Sequence, residues 1–178
     1  VLFANRGLLQ RAGIDSGFVP LSLASLEAAA KQVQKLGGGI YGWGSNTAEK
    51  HRLYKKFLPI YWSFGAQMFT DDNRYCIISS ETGIAALQYY KRLHDSCGYV
   101  ADQRGIEDAF LDGKIGFIIS GDWLLKRIEL ENRKINLVVS FDLIKVYYLE
   151  ADGDLVFTWV NTAADIPGNG RLEMMSGP

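Results

Sequence analysis

Apolar residues recur at intervals of three and four along parts of this chain and form short unbroken runs elsewhere. Leu23, Leu26, Ala30 and Val33 mark one face of a helix that starts at Leu21 or Leu23 and ends near Leu36. Ser22 stands where an N-cap belongs, and Gly37, Gly38 and Gly39 follow as a stop. Ile84, Leu87, Tyr90 or Lys91, and Leu93 mark the inner side of a second helix over 81–96, capped by Ser80 and ended by Gly98. Between the two, residues 46–49 (NTAE) have the shape of a capping box. The helix they open sets Leu53 and Phe57 on one face and leaves Lys50, Arg52, Lys55 and Lys56 to solvent. Pro59 is expected to kink or interrupt it. Residues 1–4, 40–44, 75–78, 115–119 and 135–143 read as strands, and 5–13 and 104–111 as short helices. The predicted class is α/β.

One stretch organises the rest. In AFLDGKIGFIISGDWLL (109–125), a helical turn stops at Gly113, an apolar strand runs over 115–119, and Ser120-Gly121-Asp122 turns into a helix starting near Trp123. A buried strand that ends in a glycine turn and a helix N-terminus is a place where ligands sit. A tryptophan there offers a large flat apolar face. The second candidate is Tyr61-Trp62-Ser63-Phe64-Gly65-Ala66-Gln67, where three aromatics in four residues cannot share one helical face. Either at least one points away from the core or all are packing residues.

Four segments, in order, carry a family resemblance. FLDGKIGFIISGDWLL resembles a "F-x-x-G-K-x-A/G-M-x-x-x-G-x-W" segment of the solute-binding proteins of ABC importers, in the carbohydrate-binding group that includes maltose-binding protein. LFANRGLLQRAGID, FLPIYWSFGAQMF and SSETGIAALQYYKRLHDSCGYV are similar to three further segments of that family, so the match covers residues 1–140. The resemblance implies a type II periplasmic-binding-protein-like fold, here one lobe and part of the other, closing by a hinge on sugar between the lobes. It implies a mono- or oligosaccharide ligand, delivery to ABC permease subunits, a monomer, a periplasmic or membrane-anchored extracellular location, and no cofactor. Trp62 and Trp123 are the expected stacking residues, with Tyr61 beside them and Trp43 in the GWG strand as a further candidate. Asp122 and, more weakly, Gln67 are the expected hydroxyl acceptors. Gly121 and Gly65 match family glycines that let backbone approach the ligand, while Ala66 replaces the second glycine of the latter pair.

After residue 140 the resemblance weakens. Residues 144–149 and 155–160 predict a hairpin through 150–154 (EADGD), and 166–170 (IPGNG) resembles a family stretch displaced along the chain. The division expected is therefore 1–140 and 141–178. The chain is about half the family's usual length and begins inside a strand rather than with Met, which reads as a fragment or a cut N-terminus.

Composition narrows the alternatives. With 178 residues, 48% hydrophobic and 22% charged, the chain has an ordinary globular make-up and enough length for a core. A net charge of −1 gives no reason to expect nucleic acid. Cys76 and Cys97 lack metal-ligand spacing and read as unpaired, partly buried thiols. His51 and His94 have no ligand partner at metal spacing, and Asp108 and Asp112, four apart, read as surface rather than as a glycosidase pair. No G-x-S-x-G or H-E-x-x-H occurs. A carbohydrate-active enzyme and a non-catalytic α/β interaction domain remain the alternatives to a binding protein.

Overall fold

The computed structural model describes residues 2–15, 17–135, 137–142, 145–149 and 155–156. In chain order the elements are β1 (Leu2–Asn5), α1 (Arg6–Arg11), α2 (Leu23–Gln34), β2 (Tyr41–Ser45), α3 (Lys50–Ser63), α4 (Glu81–Cys97), β3 (Gly98–Val100), α5 (Gln103–Leu111), β4 (Ile115–Ile119), α6 (Trp123–Leu130), β5 (Leu137–Asp142), β6 (Lys145–Leu149) and β7 (Leu155–Val156). The strands form one mixed sheet in the order β3-β2-β4-β1-β5-β6-β7. β2 runs parallel to both β3 and β4, and β1 lies antiparallel between β4 and β5. The division expected at 140/141 falls inside β5, which joins the remaining strands to β1.

Helices cover both faces of the sheet. Leu8 and Leu9 of α1, Leu26, Ala30 and Val33 of α2, and Tyr89, Tyr90 and Leu93 of α4 pack with Leu2, Ala4, Trp43 and Phe117. Ile106 and Phe110 of α5 and Leu124 and Ile128 of α6 pack with Phe3, Ile115 and Ile118 on the other face. Successive β1 residues therefore serve opposite cores, as the two-residue period of a strand requires. The caps read at Ser22 and Ser80 form, Ser22 in a reciprocal box with Ser25 and Ser80 accepting from the Gly83 N–H; the structure adds Asn5, which caps α1 by accepting from the Leu8 N–H.

Several expectations fail for local reasons. α3 begins at Lys50 with no side-chain cap, so residues 46–49 are not a capping box. Pro59 sits inside α3 without ending it. Tyr61 and Trp62 diverge simply because successive helical residues are about 100° apart. Residues 75–78 form no strand; Phe69 bridges to Cys76, and Asp72 holds the turn by accepting from Thr70 Oγ1 and the Arg74 N–H. The buried face of α4 is turned one position from the one read: Gly83, Ala86, Tyr89, Tyr90 and Leu93 face in, while Ile84 and Leu87 are exposed. Gly83 sets this rotation. A Cβ there would overlap the Ile78 carbonyl oxygen and stand 3.0 Å from the Tyr61 ring, so only a bare Cα admits the neighbouring chain.

Cys97 is buried and Cys76 exposed, and both are free. The predicted hairpin is present as antiparallel β6 and β7, with Leu149 opposite Leu155. Its connecting residues 150–154, the 166–170 stretch and the tail lie outside the described residues. No described helix is long and apolar enough to cross a membrane.

Candidate functional site

The parallel strands β2 and β4 end side by side, and the chain leaves them through Ser45-Asn46 and Ser120-Gly121-Asp122. Carboxyl ends of parallel strands are where α/β sheets bind ligands. A buried polar network closes the floor of this edge. Glu107, on the inner side of α5 and 4% exposed, is its centre. Glu107 Oε1 accepts from Gln103 Nε2 at 2.6 Å, from Ser120 Oγ at 2.6 Å and from the Trp123 indole N–H at 3.0 Å. Its other oxygen lies 3.6 Å from Arg127 Nη1, and Arg127 also pairs with Asp108 and Glu131. The hydrogen bond from Arg127 holds Asp108 below the usual carboxylate range.

The network continues to β2. Asn46 Nδ2 donates to Gln103 Oε1 at 3.1 Å, and Glu49 Oε2 accepts the Gln103 backbone N–H at 2.8 Å. This accounts for the missing capping box: the Glu49 carboxylate is drawn to the start of α5 instead of back to Asn46 N–H. A buried carboxylate is stable only when its lone pairs and charge are matched, and here three donors and a guanidinium match them.

Trp123 is bonded into this network and reaches solvent. Its residue is 52% exposed although its N–H is committed to Glu107. The six-membered ring occupies the space where a Cβ on Gly121 would stand. Gly121 thus seats the indole rather than presenting bare backbone to a ligand. The Lys56 ammonium lies 5.4 Å from the ring centroid. Its pKa is lowered to about 8, chiefly by burial, with Arg52 and Lys55 adding to the effect and Glu107 opposing it. Lys56 is therefore not part of a freely solvated basic face, as its sequence context predicted.

The other expected site residues divide. Trp62 is 57% exposed on the last turn of α3. It is six residues from Lys56, about 9 Å along the helix axis. Asp122 is exposed at the N-terminus of α6, and its side chain makes no capping bond. Gln67 and Gly65 are exposed, and Gly65 takes φ +71 at the end of α3. Tyr61 and Trp43 must be reassigned, because each is 1% exposed. Tyr61 packs with Ala66 and Ala86 and donates its hydroxyl to the Gln67 carbonyl at 2.7 Å. Trp43 lies among the residues of α2 and α4 in the core. Neither offers a ring face to a ligand.

Sequence reading missed Asn46, Glu49, Gln103, Glu107, Ser120 and Lys56. One signal was available: Gln103 and Glu107 are four apart, and Ile106 and Phe110 share their face of α5. A polar pair on an apolar face asks for buried partners. Asp108 and Asp112, the acids weighed instead, face Arg127 and Arg133. His94 is structural, its Nδ1 lying 2.8 Å from Ser45 Oγ. Among the described residues no group of three His, Cys, Asp or Glu side chains gathers where it could hold a metal ion.

Comparisons with known proteins agree with this architecture. A family model described as bacterial extracellular solute-binding protein matches residues 1–169. Among solved structures, the chain is similar to an ABC transporter solute-binding protein from Thermotoga lettingae bound with α-D-tagatose. The TM-score is 0.66 at 22% identity, over 74% of this chain and 35% of that one. It is similar to the cyclic α-maltosyl-1,6-maltose binding protein from Arthrobacter globiformis, with TM-score 0.66 and 21% identity over 92% and 42% of the two chains. It is also similar to UgpB from Mycobacterium tuberculosis in complex with glycerophosphocholine, with TM-score 0.66 and 18% identity over 78% and 34%. At these identities the likeness is one of fold: the mixed sheet with helices on both faces is that of type II periplasmic binding proteins. The chain spans between 34% and 42% of the length of these three. No curated protein matches it.

Proposed function

The chain belongs to the bacterial extracellular solute-binding proteins, and on that footing we propose that it is part of the substrate-binding component of an ABC importer for carbohydrate. The ligand is a mono- or oligosaccharide held in a cleft between two lobes and handed to permease subunits. The protein works as a monomer outside the cytoplasmic membrane, in the periplasm or anchored at the cell surface. It binds rather than transforms its ligand. Residues 1–140 carry the binding function. The observation that supports this reading best is Trp123: an exposed indole at the carboxyl edge of parallel strands, oriented through its N–H by a buried carboxylate that two further donors hold in place.

Sugar chemistry fits that arrangement. A pyranose has an apolar C–H face and a rim of hydroxyls; an indole covers the first, and carboxylates and amides bond the second. Trp123 supplies a ring whose orientation is already fixed, which lowers the ordering cost of binding. Trp62 supplies a second exposed ring, and Asp122 the nearest unused carboxylate in the chain beside Trp123. Gln67 and the Gly65 turn border the Trp62 side. The solved relatives named above hold tagatose and glycerophosphocholine, and one is named for a cyclic maltosyl-maltose; polyol hydroxyls are common to all three ligands.

Trp123→Ala tests the reading. Losing a large stacked side chain removes about 1.5–3 kcal/mol, so affinity should fall by at least about tenfold in titrations with tagatose, maltose and cyclic malto-oligosaccharides. The fold should survive, because half of the residue is already in solvent. Unchanged affinity accompanied by a melting point lowered by many degrees would show Trp123 to be a packing residue and defeat the proposal.

A further inference from the structure

The Glu107 carboxylate is engaged without Lys56. Glu107 Oε1 has its three donors, and Arg127 stands at the other oxygen. Glu49 accepts from Gln103 and pairs with Arg52. Among the described residues, no carboxylate lies within ion-pair distance of the Lys56 ammonium; its recorded contact is the Trp123 ring. A ring face attracts a cation but accepts no conventional hydrogen bond, so the three N–H donors of the ammonium are unspent. This is an unusual state for a half-buried lysine, since burial of a charge is costly unless it is paired. Arg52 and Lys55 on the same helix make the surroundings more positive still.

From this we propose that Lys56 recognises an anionic group on the ligand: the sugar or polyol that stacks on Trp123 carries a carboxylate or a phosphate, which takes the Lys56 donors. The inference rests on the reading of Trp123 as a stacking face. A group on the rim of a ring stacked there comes within reach of an ammonium 5.4 Å from the indole centroid. A neutral hydroxyl would accept one ordinary hydrogen bond from it. An acid accepts a charge-assisted one, roughly twice as strong, and supplies the missing counter-charge. Asp122, exposed at the start of α6, repels an acid on its own side and so favours a ligand whose anion points toward α3 and whose hydroxyls point toward α6.

The test is a matched titration, by calorimetry, of the substrate-binding component of which this chain is proposed to be part. The probes are glucose, glucuronate and glucose 6-phosphate, with the galactose series and glycerol against glycerol 3-phosphate as further sets. The same titrations are run on Lys56→Met, Lys56→Arg and Trp123→Ala, each checked for folding by circular dichroism. At least one acid should bind about tenfold or more tightly than its neutral counterpart at low salt, the ratio falling as salt is raised. Lys56→Met should bring that ratio to about one, and Lys56→Arg should keep most of it. Carboxylate and phosphate arms tell which acid is meant. If neutral and acidic members bind alike and both need Trp123, the stacking site stands and the acid preference is refuted. If an acid preference survives Lys56→Met, the proposal also fails. If no probe binds in a Trp123-dependent way, the stacking reading falls and takes this inference with it.

Discussion

Replacing Glu107 by Gln probes the feature on which the candidate site depends. The side chain keeps its size and one carbonyl oxygen, but the carboxylate charge is lost. Three hydrogen bonds, from Gln103, Ser120 and Trp123, change from charge-assisted to neutral. Charged hydrogen bonds contribute about 1.5–3 kcal/mol and neutral ones about 0.5–1.5, so the loss is roughly 1 kcal/mol for each, or about 3 in all. Arg127, whose side chain is 11% exposed, also loses the anion 3.6 Å away and then faces an amide. For a chain of this size each kcal/mol moves the melting point by about 2–4 °C, so a fall of about 6–12 °C is expected. The assay is a thermal melt with parallel tryptophan emission, in a double-mutant cycle with Trp123→Phe. The cycle isolates the indole bond, and a coupling of about 1 kcal/mol is expected. A melting point within about 2 °C of wild type, or no coupling to position 123, would show that the carboxylate neither stabilises the edge nor orients the ring.

Three further changes follow from the same coordinates. Gly42→Ala places a methyl against the Ala30 carbonyl oxygen and within 3.0 Å of the Cys97 side chain, forcing α2 off β2. A loss of about 1–3 kcal/mol in denaturant unfolding is expected, and an unaltered midpoint would contradict the packing described. Gly121→Ala fills the seat of the Trp123 ring, so tryptophan emission and sugar affinity should change while the melting point stays within a few degrees; an unaltered emission spectrum would place the ring elsewhere. Lys56 has a folded pKa of about 8 against an ordinary 10.5. The unfolded chain therefore binds more protons between those values, and stability is recovered as pH rises through that window. Wild type should gain stability relative to Lys56→Met from about pH 8 to about pH 10.5, and an identical pH response of the two would count against the buried position of the ammonium.

Much of the architecture is legible along the chain because it depends on neighbours in sequence. The 115–119 run is a strand because Ile115, Phe117, Ile118 and Ile119 form a short apolar run bounded by Gly113 and Gly121. α2 starts at Ser22 because a hydroxyl three residues from an N–H can cap it. The turn at Gly121-Asp122 and the placing of Trp123 at a helix start are equally local, and the family resemblance of residues 1–140 rests on such segments. Trp62 and Trp123 were marked from this pattern, and both do present ring surface to solvent.

What tertiary structure decided is which polar groups meet and which faces turn inward. Gln103, Glu107, Ser120 and Asn46 are separated by up to 74 residues and converge only because β2 and β4 are adjacent in the sheet. No periodicity encodes that adjacency. The burial of Tyr61 and Trp43 follows from the same cause, since an aromatic becomes core or surface according to what packs against it. The rotation of α4 was decided by Gly83, which has no side chain to announce it but allows a carbonyl from another segment to approach. Lys56 reads as one more basic residue on a solvated helix until α6 is set beside α3. Packing then gives it a ring in place of water, lowers its proton affinity and leaves its donors unused.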